Sequence, residues 1–144
     1  MKPVRSKKKM IGIKRGIVIL SYEYWKKYWQ ERFDNPLSDL ETFRTNSKNQ
    51  LVEIGSRTNS YKNIKGQYMG VFKIDPDSWC KIKWHLFKDI KNLNKIDITA
   101  LFQLIIKKKI CNIHVKNYKK KWFEIDNIKD YKVLKEKDFF KMIR

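Results

Sequence analysis

The sequence predicts an α/β fold, a sheet flanked by helices, and three observations carry that prediction. An uninterrupted apolar run, Ile17-Val18-Ile19-Leu20, has the character of a strand buried on both faces. Several longer stretches repeat their apolar residues every three or four positions, the period of a helix with one buried stripe. The two kinds of segment alternate along the chain, the order in which helices come to cover a sheet.

Residues 1–15 carry Lys2, Arg5, Lys7, Lys8 and Lys9 around Pro3 with almost no periodicity. They are expected to form a basic tail ahead of a single domain over residues 16–144. After the Ile17–Leu20 strand, Ser21 is placed to cap a helix whose Tyr22, Trp25, Trp29 and Phe33 form one stripe. Asp34-Asn35-Pro36 ends that helix, because a residue before proline avoids the helical region. Residues 37–50 are mixed and polar and close on a turn at Asn46–Asn49. Leu51–Ile54 reads as a strand, and 55–65 as an irregular surface connection. Gly66–Ile74 reads as a strand whose two glycines, Gly66 and Gly70, point to close approach of a ligand or another backbone.

Asp75-Pro76 has the N-cap and first-turn proline of a helix that continues through Trp79, Ile82, Leu86 and Ile90. Asp97 or an immediate neighbour is placed to cap the next, where Ile98, Leu101, Phe102, Ile105 and Ile106 recur with helical period and Lys107–Lys109 face the negative end of the macrodipole. Cys111, Ile113 and Val115 alternate with Asn112 and His114, as in a strand with one buried face. Trp122–Ile125 is predicted to be a last short strand, and Asn127 to begin a terminal helix with Ile128, Tyr131 and Leu134 inward.

The 144 residues set 34 Lys and Arg against 15 Asp and Glu, a formal net charge of +19, with 42% hydrophobic and 14% aromatic residues. That length and apolar content suit one domain with a core and exclude wholesale disorder. No apolar run approaches the ~20 residues of a bilayer-spanning helix, and no secretory h-region follows the basic amino terminus, so a cytoplasmic protein is expected. Cys80 and Cys111 have neither CxxC spacing nor zinc-type neighbours and read as reduced, partly buried thiols. The charge attracts polyanions without choosing among them. Its clusters, Lys7–Lys9, Lys107–Lys109 and Lys119–Lys121, are scattered rather than aligned, which suits a solvated surface better than a nucleic-acid face. A non-enzymatic basic module that binds nucleic acid is the alternative reading.

Chemistry concentrates at Trp122-Phe123-Glu124-Ile125-Asp126. On a strand, Trp122, Glu124 and Asp126 share a face, and paired carboxylates at a strand's carboxyl end stand where ligands bind in open α/β sheets. Magnesium takes one or two carboxylates and completes its octahedron with phosphates and waters. The spacing equally allows Asp126 to cap the following helix while Glu124 faces solvent.

The run from Trp122 to Tyr131, W-F-E-I-D-N-I-K-D-Y, resembles the carboxyl-terminal W-x-E-I-D-T-x-E-D-L signature of sugar-phosphate and phosphocholine nucleotidyltransferases. Pro36-Leu37-Ser38-Asp39-Leu40-Glu41-Thr42-Phe43, Gly66-Gln67-Tyr68-Met69-Gly70 and Asp97-Ile98-Thr99 resemble, in order, segments of the phosphocholine cytidylyltransferase-like branch, so the likeness covers about residues 17–135. The resemblance implies a Rossmann-like, glycosyltransferase-A-type mixed sheet flanked by helices. It implies transfer of a nucleotidyl group from an NTP, CTP favoured, to a phosphorylated small molecule such as phosphocholine or a sugar phosphate, with Mg2+ and basic groups absorbing charge.

By the same resemblance Asp126 is a metal-binding aspartate supported by Glu124 and Trp122, Gln67 and Tyr68 border the acceptor pocket, and Asp39 and Glu41 lie on the acceptor side. No catalytic residue is assigned. The bland readings beside these are core aromatics for Tyr68 and Trp122, a rim residue for Gln67 and a helix cap for Asp97. Members of the family open on a strand, a Gly-rich loop containing Arg and a Lys-Pro that hold the NTP phosphates, and they carry a first metal aspartate. In this chain residues 1–15 contain Gly12 alone. The expectation is therefore a carboxyl-terminal, acceptor-side portion that lacks the amino-terminal nucleotide-binding strands and is incomplete in isolation: a truncated gene product, one half of a split enzyme whose second chain supplies the NTP-binding half, or a remnant with a new binding role.

Overall fold

The Ile17–Leu20 run forms the middle of a sheet. Strand β1 (Ile17–Tyr22) is buried along its whole length. It lies between β4 (Gln67–Ile74), antiparallel to it, and β5 (Ile113–Tyr118), parallel to it. The structure, a computed structural model, describes residues 15–87 and 95–136. Alternation along β1 sends Val18, Leu20 and Tyr22 into one core and Ile17 and Ile19 into another. Helices α1 (Trp25–Arg32) and α4 (Ile128–Glu136) close the first core. The second is closed by α2 (Pro76–Leu86), α3 (Ile98–Lys107) and an antiparallel hairpin of β2 (Glu41–Thr45) and β3 (Leu51–Arg57). The mixed α/β class follows the sequence pattern.

Local chemistry sets the helix starts. The Asp75 carboxylate accepts from the Ser78 hydroxyl at 2.7 Å, from the Ser78 amide at 3.0 Å and from the Gly16 amide, with Pro76 in the first turn of α2. Those hydrogen bonds, the Ser78 hydroxyl foremost, hold Asp75 down to a pKa of about 2. Asp97 caps α3 by accepting from the Ala100 amide at 2.7 Å. Gly66 marks a close approach, since a Cβ there would lie 2.0 Å from Ser21 Oγ on β1. Gly70 has a φ of +69° at the bulge where β4 shifts register against β1.

Four expectations are corrected. Ser21 caps nothing: it lies inside β1 with its Oγ buried and unpartnered among the described residues, and α1 starts behind Tyr24, whose side chain makes no cap bond. The polar stretch 37–50 hides β2, which exists because β3 pairs with it around a turn where Asn46 Oδ1 accepts from the Lys48 and Gln50 amides. Trp122–Ile125 forms no strand; residues 121–126 carry no regular structure, and Trp122 and Phe123 both pack into the first core. In α4, Leu134 is buried as expected, but Ile128 and Tyr131 are 71% and 45% exposed and Asp130 turns inward instead, drawn to a buried arginine. Cys80 is exposed and Cys111 half-buried, both free. Ile90 and residues 1–14 of the expected tail lie outside the described residues. No described helix is long and apolar enough to cross a membrane.

Candidate functional site

The hairpin, the start of β4 and the segment ahead of α4 enclose a cleft of about 230 Å³ lined by Glu41, Phe43, Gln67, Tyr68, Thr99 and Glu124, among others. Pairing with β1 fixes the β4 residues, Gln67 opposite Tyr22 and Tyr68 opposite Ser21. The Tyr68 ring stands edge-on to Phe102, 5.8 Å between centroids. Its hydroxyl is buried without a hydrogen-bond partner among the described residues, and burial pushes its pKa up to about 12. An unmet buried O–H costs roughly 1–3 kcal/mol, so a polar ligand group that reached it would be favoured.

The ionisable side chains of this lining besides Tyr68 are two carboxylates. Partial burial raises the pKa of Glu41, aided by Asp97 and Asp39. Glu124 is raised by burial and by Asp126, against the opposing pull of Arg32. Both therefore pick up protons at a higher pH than ordinary glutamates. Glu41 and Thr42 also line an adjoining polar groove of about 770 Å³ that includes Asp39, Glu53, Arg57 and Asn59.

Behind Glu124 lies a charge cluster. Arg32, in the last turn of α1, donates from Nε and Nη2 to the two oxygens of Asp130 at 3.0 and 2.8 Å, and from Nη2 to Asp126 Oδ2 at 2.6 Å. Its Nη1 makes no hydrogen bond among the described residues but lies 3.6 Å from Glu124 Oε2. The Arg32 and Asp130 side chains are 1% and 3% exposed, whereas Asp126 and Glu124 keep 58% and 38%. Burial pushes Asp130 up, but the Arg32 hydrogen bonds outweigh it and the net shift is downward. The described residues contain no group of three or more His, Cys, Asp and Glu side chains arranged to hold a metal ion. Glu124 and Asp126 both keep solvent exposure, and the Asp126 carboxylate is engaged by Arg32; magnesium takes one or two such carboxylates when phosphates and waters fill its other positions.

The structure thus gathers Glu41, Gln67, Tyr68 and Glu124 in one cleft, from three separated stretches of sequence. Asp39 stands in the adjoining groove, accepting from the Trp29 indole at 2.9 Å. Trp122 is not in the cleft lining; it stacks on Trp29 at 6.5 Å and 16° and meets Tyr22. Asp126 sits on Arg32 and also stands outside that lining. Arg32, Asp130 and Tyr28 were missed. The available signal was position: Arg32 follows Trp29 by three and Tyr28 by four, on the helix face that the aromatic residues bury, where a charge requires a partner.

No profile of a known protein family matches the chain. It is 30% identical over 136 residues to a CTP:phosphoglutamine cytidylyltransferase of Campylobacter jejuni, a match that covers 90% of this chain and 53% of that protein. The chain spans about half the length of the curated relative it matches.

Proposed function

From the premise that this chain is a relative of the cytidylyltransferase-like nucleotidyltransferases, we propose that it is the acceptor side of an enzyme that transfers a nucleotidyl group, from CTP by preference, to a phosphorylated small molecule. The carrying observation is the cleft in which Glu41, Gln67, Tyr68 and Glu124 meet, because residues singled out by separate motifs line one space of ligand size. Tyr68 brings a hydroxyl that lacks a partner among the described residues, and Glu41 and Glu124 bring negative charge. That balance favours an acceptor with an ammonium group, such as phosphocholine or a phosphorylated amino acid, over a sugar phosphate, and it directs the acceptor's own phosphate away from the two carboxylates.

In this reading the three-stranded sheet is part of a Rossmann-like, glycosyltransferase-A-type sheet, and a second chain supplies the Gly-rich loop that holds the NTP. An acceptor phosphate oxygen attacks the α-phosphorus in line and pyrophosphate leaves. Asp126 would hold Mg2+ together with phosphate oxygens and waters, and the ion when bound neutralises charge on the transferring group. The test is to coexpress the chain with a protein carrying the Gly-rich loop. Pyrophosphate release is then followed with CTP and, in turn, phosphocholine, phosphoglutamine and a sugar phosphate. Release that requires both chains and prefers an ammonium-bearing acceptor is expected; a folded pair inactive with every acceptor counts against the proposal.

A further inference from the structure

The hairpin carries a pair of opposite charges that no partner in the fold engages. Gly55 sits at a φ of +84° where β3 slips register against β2, a conformation open to glycine, and across the slip the Ser56 amide donates to Thr42 Oγ1 at 3.1 Å. The extra residue brings Arg57 opposite Glu41. Side chains opposite one another on an antiparallel pair share a face, with Cβ atoms about 4.5–5.5 Å apart. Both line the polar groove of about 770 Å³, and Glu41 also lines the cleft, so the pair stands where the two spaces join. Among the described residues of the two linings, Arg57 is the one cation. The other groove carboxylates are engaged: Glu53 accepts from Arg44 at 3.1 Å and Asp39 from the Trp29 indole at 2.9 Å. The Glu41 and Arg57 side chains make no hydrogen bond or ion pair among the described residues. Burial first, then Asp97 and Asp39, all push the Glu41 pKa up, so a cation brought beside it is favoured.

We propose that Arg57 is a specificity-determining residue of the acceptor site: with Glu41 it reads the carboxylate and the ammonium group on one carbon of a phosphorylated α-amino acid. The inference rests on the reading of the cleft as the acceptor pocket, and it narrows the acceptor to one that carries both charges. In an α-amino acid the nitrogen and the carboxylate carbon are joined through a single carbon and lie about 2.5 Å apart. A cross-strand pair of opposite charge offers them two counter-charges side by side, and the guanidinium fork receives a carboxylate through two parallel N–H donors. Phosphocholine answers Glu41 but leaves Arg57 without a counterpart, and a sugar phosphate answers neither.

O-phosphoserine and phosphoethanolamine share an ammonium and a phosphate and differ by the carboxylate alone, so the ratio of their affinities isolates the contribution of Arg57. Both are titrated calorimetrically into the full chain as wild type, Arg57→Gln and Lys62→Gln. Lys62 lies outside both linings, so its replacement removes the same charge without touching the groove. Both side chains are exposed, which keeps the variants foldable, and thermal unfolding checks it. Wild type is expected to bind O-phosphoserine at least about 5-fold more tightly than phosphoethanolamine. That ratio approaches one in Arg57→Gln and keeps its wild-type value in Lys62→Gln. Equal affinities in wild type, a ratio unmoved by Arg57→Gln, or one lowered as much by Lys62→Gln would overturn the role of Arg57 and leave the acceptor reading standing. Failure of wild type to bind either compound would overturn that reading and the role of Arg57 with it.

Discussion

Replacing Arg32 by methionine removes the cation from a buried pair and leaves Asp130 beneath α1 with its charge unanswered. Three donor contacts disappear, at 3.0 and 2.8 Å to Asp130 and 2.6 Å to Asp126. Truncating one partner of a buried ion pair costs about 3–5 kcal/mol. Asp126 is exposed enough to rehydrate cheaply, and Asp130 keeps the Asp126 amide at 3.0 Å, so the lower end, about 3 kcal/mol, is expected. Urea denaturation at pH 7 measures it, and with total stability of about 5–15 kcal/mol typical of a domain, the variant remains foldable.

The sign of the pH dependence gives a second reading of the same substitution. In the wild type the lowered Asp130 contributes stability that is fully present above the ordinary carboxylate pKa of about 3.9 and is lost as pH falls through its folded value. Without Arg32 burial is opposed only by hydrogen bonds from the Asp126 and Asn127 segment, the folded pKa rises, and acid relieves the buried charge. The penalty of Arg32→Met therefore shrinks below pH ~5, and adding Asp130→Asn recovers more than half of it at pH 7. A penalty under about 1 kcal/mol, or one equal at pH 4.5 and pH 7, would refute the reasoning.

Asp75 supplies a further acid-sensitive element. Its pKa of about 2 means that its contribution is present above about 3.9 and is lost between there and about 2. Asp75→Asn keeps an N-cap, so its melting temperature should follow the wild type near neutrality and decline less steeply between pH 4 and pH 2; parallel profiles would deny Asp75 that role. Gly66→Ala pushes a methyl against Ser21 Oγ and should cost about 1–3 kcal/mol in chemical denaturation. Ser21→Ala, which removes a buried unpartnered hydroxyl, should be close to neutral alone and should rescue part of that loss; strict additivity would contradict the contact. Because Glu41 and Glu124 protonate at raised pH, phosphocholine affinity measured calorimetrically should weaken on acidification before ordinary glutamates titrate. Glu41→Gln with Glu124→Gln should lower affinity and flatten that profile, and an unaffected profile would remove the carboxylates from acceptor recognition.

The fold was legible where the signal is local. Four consecutive apolar residues mark β1, and Asp75-Pro76 and Asp97 mark helix starts through side-chain chemistry complete within a single turn. It was illegible where pairing across the chain decides. Glu-Thr-Phe-Arg-Thr has one strongly apolar residue, and only the register with β3 makes it a strand. Trp122-Phe123-Glu124-Ile125 misleads in the opposite direction: its β-forming residues imitate a strand, but Trp122 and Phe123 are spent on rings of β1 and α1. Of the motif residues, Glu41, Gln67, Tyr68 and Glu124 line one cleft, Asp39 lines the adjoining groove, and Trp122 and Asp126 stand outside both linings. Arg32 escaped notice because an arginine on a helix ordinarily reads as surface, and its burial depends on Asp130, ninety-eight positions later.

Backbone chemical-shift mapping of the isotopically labelled chain during a phosphocholine titration tests most directly whether this cleft is the acceptor pocket. Perturbations concentrated at Glu41–Phe43, Gln67–Gly70, Thr99 and Glu124, and absent from a Tyr68→Phe/Glu124→Gln variant of unchanged fold, are the expected result. Shifts confined to the lysine-rich stretches at 107–109 and 119–121, or no shifts at all, would contradict it.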